Sequence, residues 1–274
     1  MKIEVSIIII NFNTYQLTCE CIESILDKTK GVSYEVILVD NGSVECDPDL
    51  FKEKFPDIKL IKSKINLGFA KGNNLGIENA KGDVILLLNS DTVLENDAIS
   101  ICYKRLVEDN RYGLITSKLI YPNGDVQRQC RKFETISMLL MEQFRIHKLW
   151  SKQKRAKKLL NGYFDHQTEI ETDRIWGAFF MFKRDILDLL PNNKLADTFF
   201  MYGEDNEWCY QIRTFTPYKV LYYPKAVVIH KIGGSNFGAE KNKVILNNKH
   251  IYMSEYYGSL KSNIYFFLKR ILTK

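Results

Sequence analysis

The sequence is short of the features that mark several protein classes. Its six cysteines, Cys19, Cys21, Cys46, Cys102, Cys130 and Cys209, form no CxxC pair and no metal-finger spacing. That excludes a disulfide miniprotein and a zinc finger, and it suits reduced thiols in a cytoplasmic protein. Six prolines and 15 glycines in 274 residues exclude collagen and low-complexity disorder. Uninterrupted apolar stretches reach five or six residues, against the ~18 needed to span a bilayer. Met1-Lys2-Ile3-Glu4 runs straight into a strand-like run with no small-residue cleavage site behind it, so no secretory leader is expected. Neither GxGxxG nor Gly-Lys-Ser/Thr occurs, which argues against a dinucleotide dehydrogenase and a phosphate-loop NTPase. Lys and Arg number 39 against 33 Asp and Glu, and the resulting +6 is too mild to imply a nucleic-acid partner.

What is present is ordinary globular composition, 45% apolar and 26% charged, with length for one or two domains at roughly 150 residues each. Residues 5–10, 35–39 and 84–88 are short apolar runs without alternation. Such runs belong to parallel strands covered on both faces by helices. After the first, Leu17, Cys21, Ile22 and Ile25 share one helical face, and Asn13 with Gln16 offers an N-terminal cap. Further helices are expected over 69–80 and 97–109. The first 120 residues therefore predict an α/β, open, Rossmann-like, mostly parallel sheet flanked by helices. Beyond the turn at Tyr121-Pro122-Asn123-Gly124-Asp125, the pattern predicts a helix over 135–160, a strand over 174–182 and a helix over 204–213. Two short strands, 219–223 and 226–230, should flank Pro224. With no linker visible, the chain reads as one domain, 1–240, with a basic helical extension, 241–274.

Ligands of such sheets bind beyond the carboxyl ends of the strands, which directs attention to the residues after 10, 39 and 88. Asp40, Asn41, Gly42 and Ser43 close the second run. A carboxylate there can accept from a nucleobase or a ribose hydroxyl, or simply shape a turn. Asn89, Ser90 and Asp91 close the third, and a lone carboxylate suits a hard divalent ion completed by diphosphate oxygens and water. The glycines and amides of 66–76, Asn74 among them, suit close approach to a nucleotide. Glu204, Asp205 and Glu207 open a helix after Phe199, Phe200 and Tyr202. Acids favour helix starts through the backbone dipole, but an apolar wall could also raise one toward neutrality for use as a base. His230 gains interest only as a partner for Asp91.

Together these pieces resemble the family 2 glycosyltransferases of GT-A fold, nearest the bacterial rhamnosyltransferase-like branch. The matching residues are Ser6 to Asn13, Val39 to Ser43, Asn66 to Asn74, Leu88 to Thr92, Gly177-Ala178 with Lys183-Arg184, Gly203 to Glu207 with Arg213, and His230 with Gly233-Gly234. They span roughly 3–240, and their order is more specific than any one of them. The resemblance implies that Asp40 holds the base of a nucleoside-diphosphate sugar, within a nucleotide-binding set of Asn11, Asp40, Asn41, Asn74, Ser90 and Asp91. It implies that Asp91 and His230 hold Mg or Mn, that Asp205 is the catalytic base with Glu204 beside it, and that Gly177 and Ala178 lie against donor sugar and acceptor. Two positions depart from the family pattern: Asn89 replaces an acidic start to Asp-x-Asp, and Glu207-Trp208 replaces the more usual Asp-Leu.

The implied activity is inverting, metal-dependent transfer from dTDP-rhamnose, or second from a UDP-hexose, to a glycan or lipid-linked saccharide of the bacterial surface. A nucleotidyltransferase would carry a basic Gly-rich loop where Asn11-Phe12-Asn13 stands. A non-catalytic glycan-binding scaffold would be expected to have lost Asp91, Asp205 or His230. Arg145, Lys148, Lys152, Lys154, Arg155, Lys157 and Lys158 form a basic stretch, and 260–274 combine basic with large apolar side chains. Both suit peripheral contact with the anionic inner face of the plasma membrane. Their blander reading is a solvated helix and core or homodimer packing.

Overall fold

The computed structural model describes residues 2–231 and 241–272, apart from the side chain of Lys241. The Gly233-Gly234 pair of the family pattern lies outside the described residues. The elements run β1 (Val5–Asn11), α1 (Tyr15–Lys28), β2 (Tyr34–Asp40), α2 (Asp49–Lys54), β3 (Lys59–Lys62), α3 (Phe69–Ile77), β4 (Val84–Asn89), β5 (Thr92–Leu94), α4 (Ala98–Glu108) and β6 (Tyr112–Ile120). They continue with α5 (Ile136–Gln143), α6 (Lys152–Leu159), β7 (Ile170–Thr172), β8 (Phe179–Lys183), α7 (Ile186–Leu189), α8 (Glu204–Phe215), β9 (Lys219–His230), α9 (Lys241–Tyr257) and α10 (Ser259–Leu272).

The strands join in one sheet of order β3-β2-β1-β4-β8-β6-β9-β5, with β7 also on β9. The first four in that order are parallel, as the unbroken apolar runs of β1, β2 and β4 predict. Along β1, side chains alternate between two buried layers: Ile7 and Ile9 pack with Ile22, Ile25 and Ile99, while Ile8 packs with Ala70, Ile77 and Trp208. Both faces being dry, every position from 5 to 9 is buried. β8 runs antiparallel to β4 and β6, so the sheet is mixed toward its second half.

Several local expectations are corrected. Asn13 does not cap α1: it sits at φ 53°, and its side-chain oxygen accepts from the Val44 N–H at 2.8 Å. The helix expected over 135–160 is broken by Arg145 at φ 57° and a short 3-10 turn, and restarts where Ser151 caps α6. The strand expected from 174 begins at Phe179. The two strands around Pro224 are one, β9, because its 224–226 segment bulges where Ser117 pairs with Tyr223 and Lys118 with Val227.

The extension α9–α10 lies against the helix layer. Tyr210 of α8 stacks on Tyr256 at 5.2 Å between centroids. Asn248 donates to the Tyr202 carbonyl at 2.6 Å, and Lys249 pairs with Glu134 at 2.7 Å. Among the described residues no helix is long and apolar enough to cross a membrane.

Candidate active site

The parallel register places the tips of β1, β2 and β4 side by side, so Asn11 and Asp40 are direct partners. Fully buried Asn11 donates to Asp40 Oδ1 at 2.8 Å and Ser43 Oγ at 2.9 Å, and accepts from Thr18 Oγ at 2.8 Å. Thr14 extends this network to Ser90 at 3.2 Å. Asp40 also accepts from the Ser43 N–H at 3.2 Å. A carboxylate has about four lone-pair positions, so Asp40 retains accepting capacity beyond these two bonds.

Asn41 and Asn74 are placed differently from their neighbours in the expected nucleotide set. The Asn41 amide bonds Asn66 Oδ1, the Gly68 carbonyl and the Leu67 N–H, and so shapes the 66–68 loop. Gly68 at φ 80° meets the Phe200 backbone so closely that a Cβ would overlap its carbonyl. Asn74 donates to the Leu195 carbonyl at 2.8 Å, turned toward the 195 loop.

Asp91 and His230 lie far apart in the chain, and the sheet brings them together. Thr92 of β5 pairs with His230 of β9, and the Lys231 N–H donates to the Asp91 carbonyl at 2.9 Å. Their side chains meet at 3.3 Å between His230 Nε2 and Asp91 Oδ1. Gln127 fixes the imidazole from behind. Its Nε2 donates to the His230 carbonyl at 2.7 Å and the Ile120 carbonyl at 3.3 Å, which leaves its Oε1 to accept from His230 Nδ1 at 2.9 Å. With the proton assigned to Nδ1 by this network, a neutral ring turns a bare Nε2 lone pair toward the carboxylate. Two acceptors at that separation require a proton or a cation between or beside them. The donor set, one imidazole and one carboxylate with the ring oriented by a neighbouring amide, fits a divalent ion. No third His, Cys, Asp or Glu joins them among the described residues.

His230 also lines a cavity of about 740 Å³, together with Asn89, Gly177, Ala178, Glu204 and Asp205. Asn89 Oδ1 is buried there without a hydrogen-bond partner among the described residues. The acids enter at the start of α8, where Gly203 at φ 114° turns the chain into the helix. Asp205 Oδ1 accepts from the Asn206 backbone at 2.7 Å and side chain at 2.9 Å. Burial pushes its carboxyl up, against the pull of Asn206 and Arg174. Glu204 is buried deeper, with Oε2 unpartnered among the described residues. Burial and then the neighbouring Asp205 push it up to about 8. Burial thus pushes both carboxyls up, and the two differ in what opposes it: Asp205 has the Asn206 donors and the Arg174 and Arg131 cations nearby, which Glu204 lacks.

Of the aromatics expected to wall this site, Tyr202 lines it, Phe199 sits in the core and Phe200 is exposed. The apolar wall comes instead from Trp176 and from Ile245, Leu246 and Tyr252 of α9. Glu207 and Trp208 serve packing: Glu207 accepts from Thr198 at 2.8 Å, and Trp208 stacks with Phe69 and meets Phe180 edge-on. Sequence reasoning missed Gln127, Arg131, Glu134, Arg174, Asn206 and Lys249. The alternation Gln127-x-Gln129-x-Arg131 was a usable signal, since every second residue of an extended segment faces one side.

The sequence matches the profile of Glycosyl transferase family 2 over residues 6–190. It is similar to glycosyltransferase GlyG of Streptococcus pneumoniae serotype 4, 28% identical over 126 residues, or 44% of this chain and 41% of that protein. It is also similar to the poly(ribitol-phosphate) beta-glucosyltransferase of Bacillus spizizenii, 29% identical over 44% of this chain and 20% of that protein. A third relative is the hyaluronan synthase of Pasteurella multocida, 30% identical over 44% of this chain and 13% of that protein. The matched stretch covers 41% or less of the length of these relatives.

Proposed function

This chain belongs to the family 2 glycosyltransferases, and from that premise we propose that it transfers a sugar, with inversion, from a nucleoside-diphosphate sugar to a hydroxyl of a bacterial surface glycan. The observation that carries the reading is the meeting of Asp91 and His230 at the strand tips, with Asp205 in the cavity that His230 also lines. Asp91 and His230 would hold Mg or Mn, which when bound neutralises charge on the departing diphosphate. Asp205 accepts the proton of the acceptor hydroxyl as that oxygen bonds the anomeric carbon. The bond from that carbon to phosphate breaks, and the nucleoside diphosphate leaves with the electron pair. One base on the acceptor side supports a single displacement without a covalent sugar–enzyme intermediate.

The donor is dTDP-rhamnose or, second, a UDP-hexose. The names of the relatives, one a glucosyltransferase, give a hexose added support. Thymine and uracil offer the same edge to Asp40. Incubating the chain with each nucleotide sugar, with and without Mn, tests the whole reading: slow metal-dependent hydrolysis, with water standing in for the acceptor hydroxyl, should release nucleoside diphosphate from at least one donor, and the absence of both hydrolysis and nucleotide binding for all of them would refute it.

Asp40→Ala should weaken nucleoside-diphosphate binding about tenfold, as expected for a lost charge-assisted hydrogen bond. The fold should survive, because Asn11 keeps Ser43 and Thr18. Calorimetry giving equal affinity for both proteins would make Asp40 a turn residue.

We place the protein at the anionic inner face of the membrane, as a peripheral enzyme using a lipid-linked acceptor. Support comes from α10, where Leu260, Phe267 and Ile271 are 74%, 64% and 53% exposed beside Arg270. The basic side chains of α6 add charge of the same sign. Phe267→Gln combined with Ile271→Gln should lower binding to phosphatidylglycerol vesicles, and salt should do the same. Intact protein that ignores such vesicles at low salt, or that buries this face in a dimer, would overturn the placement.

A further inference from the structure

The same cavity contains a cluster of charges larger than the support of Asp205 calls for. Arg131 and Glu134 come from the segment before α5, Arg174 from the segment before β8, and Lys249 from α9; all four line the cavity. One carboxylate oxygen, Glu134 Oε1, serves both Arg174 at 3.5 Å and Lys249 at 2.7 Å. Arg174 is 7% exposed, yet its Nε has no hydrogen-bond partner among the described residues, and neither has Nε of Arg131. Arg131 makes no ion pair within 4 Å among them. Burial and the adjacent Arg174 lower its affinity for its own proton. Arg131, Arg174, Lys249 and Lys269, which also lines the cavity, thus outnumber the two nearby carboxylates of Glu134 and Asp205 in a partly dry space, and the Nε–H groups of both arginines lack acceptors among the described residues. Crowding like charges this way is unfavourable in the empty protein. It is relieved by an anion with several acceptor oxygens, for which paired guanidinium forks are the matching donors.

The cluster is tied to the acceptor side. Arg174 Nη1 donates to Asn206 Oδ1 at 2.8 Å, and the Asn206 amide nitrogen donates to Asp205 Oδ1 at 2.9 Å. A single amide thus separates the cations from the proposed base, whose partner is the acceptor hydroxyl. None of the cluster residues comes from the tips of β1, β2 or β4, where the nucleotide-facing residues gather. We propose that Arg131, Arg174 and Lys249 form a phosphoryl-binding subsite for the acceptor, so that the glycan extended here carries a phosphate near its reactive hydroxyl. The inference rests on the transferase reading given above. Its chemistry is shared by a lipid-borne phosphate and a phosphodiester within a polymer.

Calorimetry on the whole chain, preloaded with Mn and with whichever of UDP or dTDP binds, tests it. Inorganic phosphate is the first probe; decyl phosphate and glycerophosphoglycerol then represent the lipid and polymer sources. Phosphate should bind wild type, and at least one of the two esters should bind and displace it. Arg131→Gln and Lys249→Gln should each weaken phosphate about tenfold, with Lys249→Arg restoring most of the loss. Nucleotide affinity should not change, and Arg131→Gln should melt no lower than wild type because it removes a half-buried charge crowded by Arg174. Phosphate affinity untouched in both Gln variants would overturn the subsite. So would nucleotide affinity falling in parallel, which would assign the cluster to the donor. A wild-type chain that binds neither UDP nor dTDP is a separate failure, that of the transferase reading itself.

Discussion

Asp205→Asn is expected to abolish sugar transfer, by at least ~10², the lower range for loss of a general base, while donor and metal affinity stay at wild-type values. The amide keeps the shape of the side chain and can still accept from Asn206, but it cannot take a proton from the acceptor hydroxyl. Glu204→Gln should cost far less. Adjacent residues at a helix start diverge by about 100°, and here they diverge in environment as well. Glu204 is deeply buried without a partner for Oε2 among the described residues, whereas Asp205 takes two bonds from Asn206. A base must be ionised before it acts; burial opposes this in both, but Asp205 has the Asn206 side chain and the Arg174 and Arg131 cations to favour the ion, and Glu204 has no such side chain beside it. Transfer rate at saturating donor, with nucleotide affinity for each variant, decides the matter. An inactive Glu204→Gln beside an active Asp205→Asn would reverse the assignment.

Glu204 also predicts a pH-dependent stability. Its folded pKa of about 8 lies above the ordinary 4.5 of the unfolded chain. Below pH 4 both states hold the proton, and the shift has no effect on folding. Between pH 4.5 and 8 the unfolded chain releases its proton and the folded one does not, so stability falls across that window. Glu204→Gln, which is neutral at every pH, should therefore melt several degrees higher than wild type at pH 8 and at the same temperature at pH 4. Equal melting at both would show that Glu204 is solvated rather than held neutral.

The parallel half of the sheet was legible because its strands are buried on both faces, and such strands are unbroken apolar runs, as in Ile7 to Ile10 and Val84 to Leu88. β3, with its Lys-Leu-Ile-Lys pattern at the sheet edge, leaves too short a signal. β9 was split because Pro224 reads as a break, whereas the bulge accommodates it. The helix over 135–160 was joined because nothing in its composition announces the left-handed Arg145. Site residues at strand tips, Asp40 and Asp91, could be found from the rule that ligands gather there. Those on irregular connections, such as Arg131 and Arg174, have no period to expose them. Lys249 comes from the C-terminal extension, and only the packing of α9 over the cavity reveals its place.

Asp91→Asn should remove metal-dependent turnover, with a fall of at least ~10³, since several kcal/mol of charge stabilisation on the leaving diphosphate disappear. The fold should remain intact, because the backbone carbonyl of residue 91, which the substitution keeps, bonds the Lys231 N–H beside the β5–β9 pairing. Gln127 gives the sharper test of how the site is built. It touches no substrate in this reading, yet it dictates which imidazole nitrogen of His230 faces Asp91. Gln127→Leu frees the ring to rotate and to move its proton, so Mn affinity should drop by about 10- to 100-fold, the usual cost of losing the group that orients a metal-binding His. Asp205 chemistry would be unaffected, and saturating Mn should restore much of the rate in Gln127→Leu but none of it in Asp91→Asn. Mn titrations of nucleoside-diphosphate binding, read beside transfer rates, separate these outcomes. Wild-type Mn affinity in Gln127→Leu would show that His230 is not a ligand, and full activity in Asp91→Asn without metal would remove the ion from the reaction.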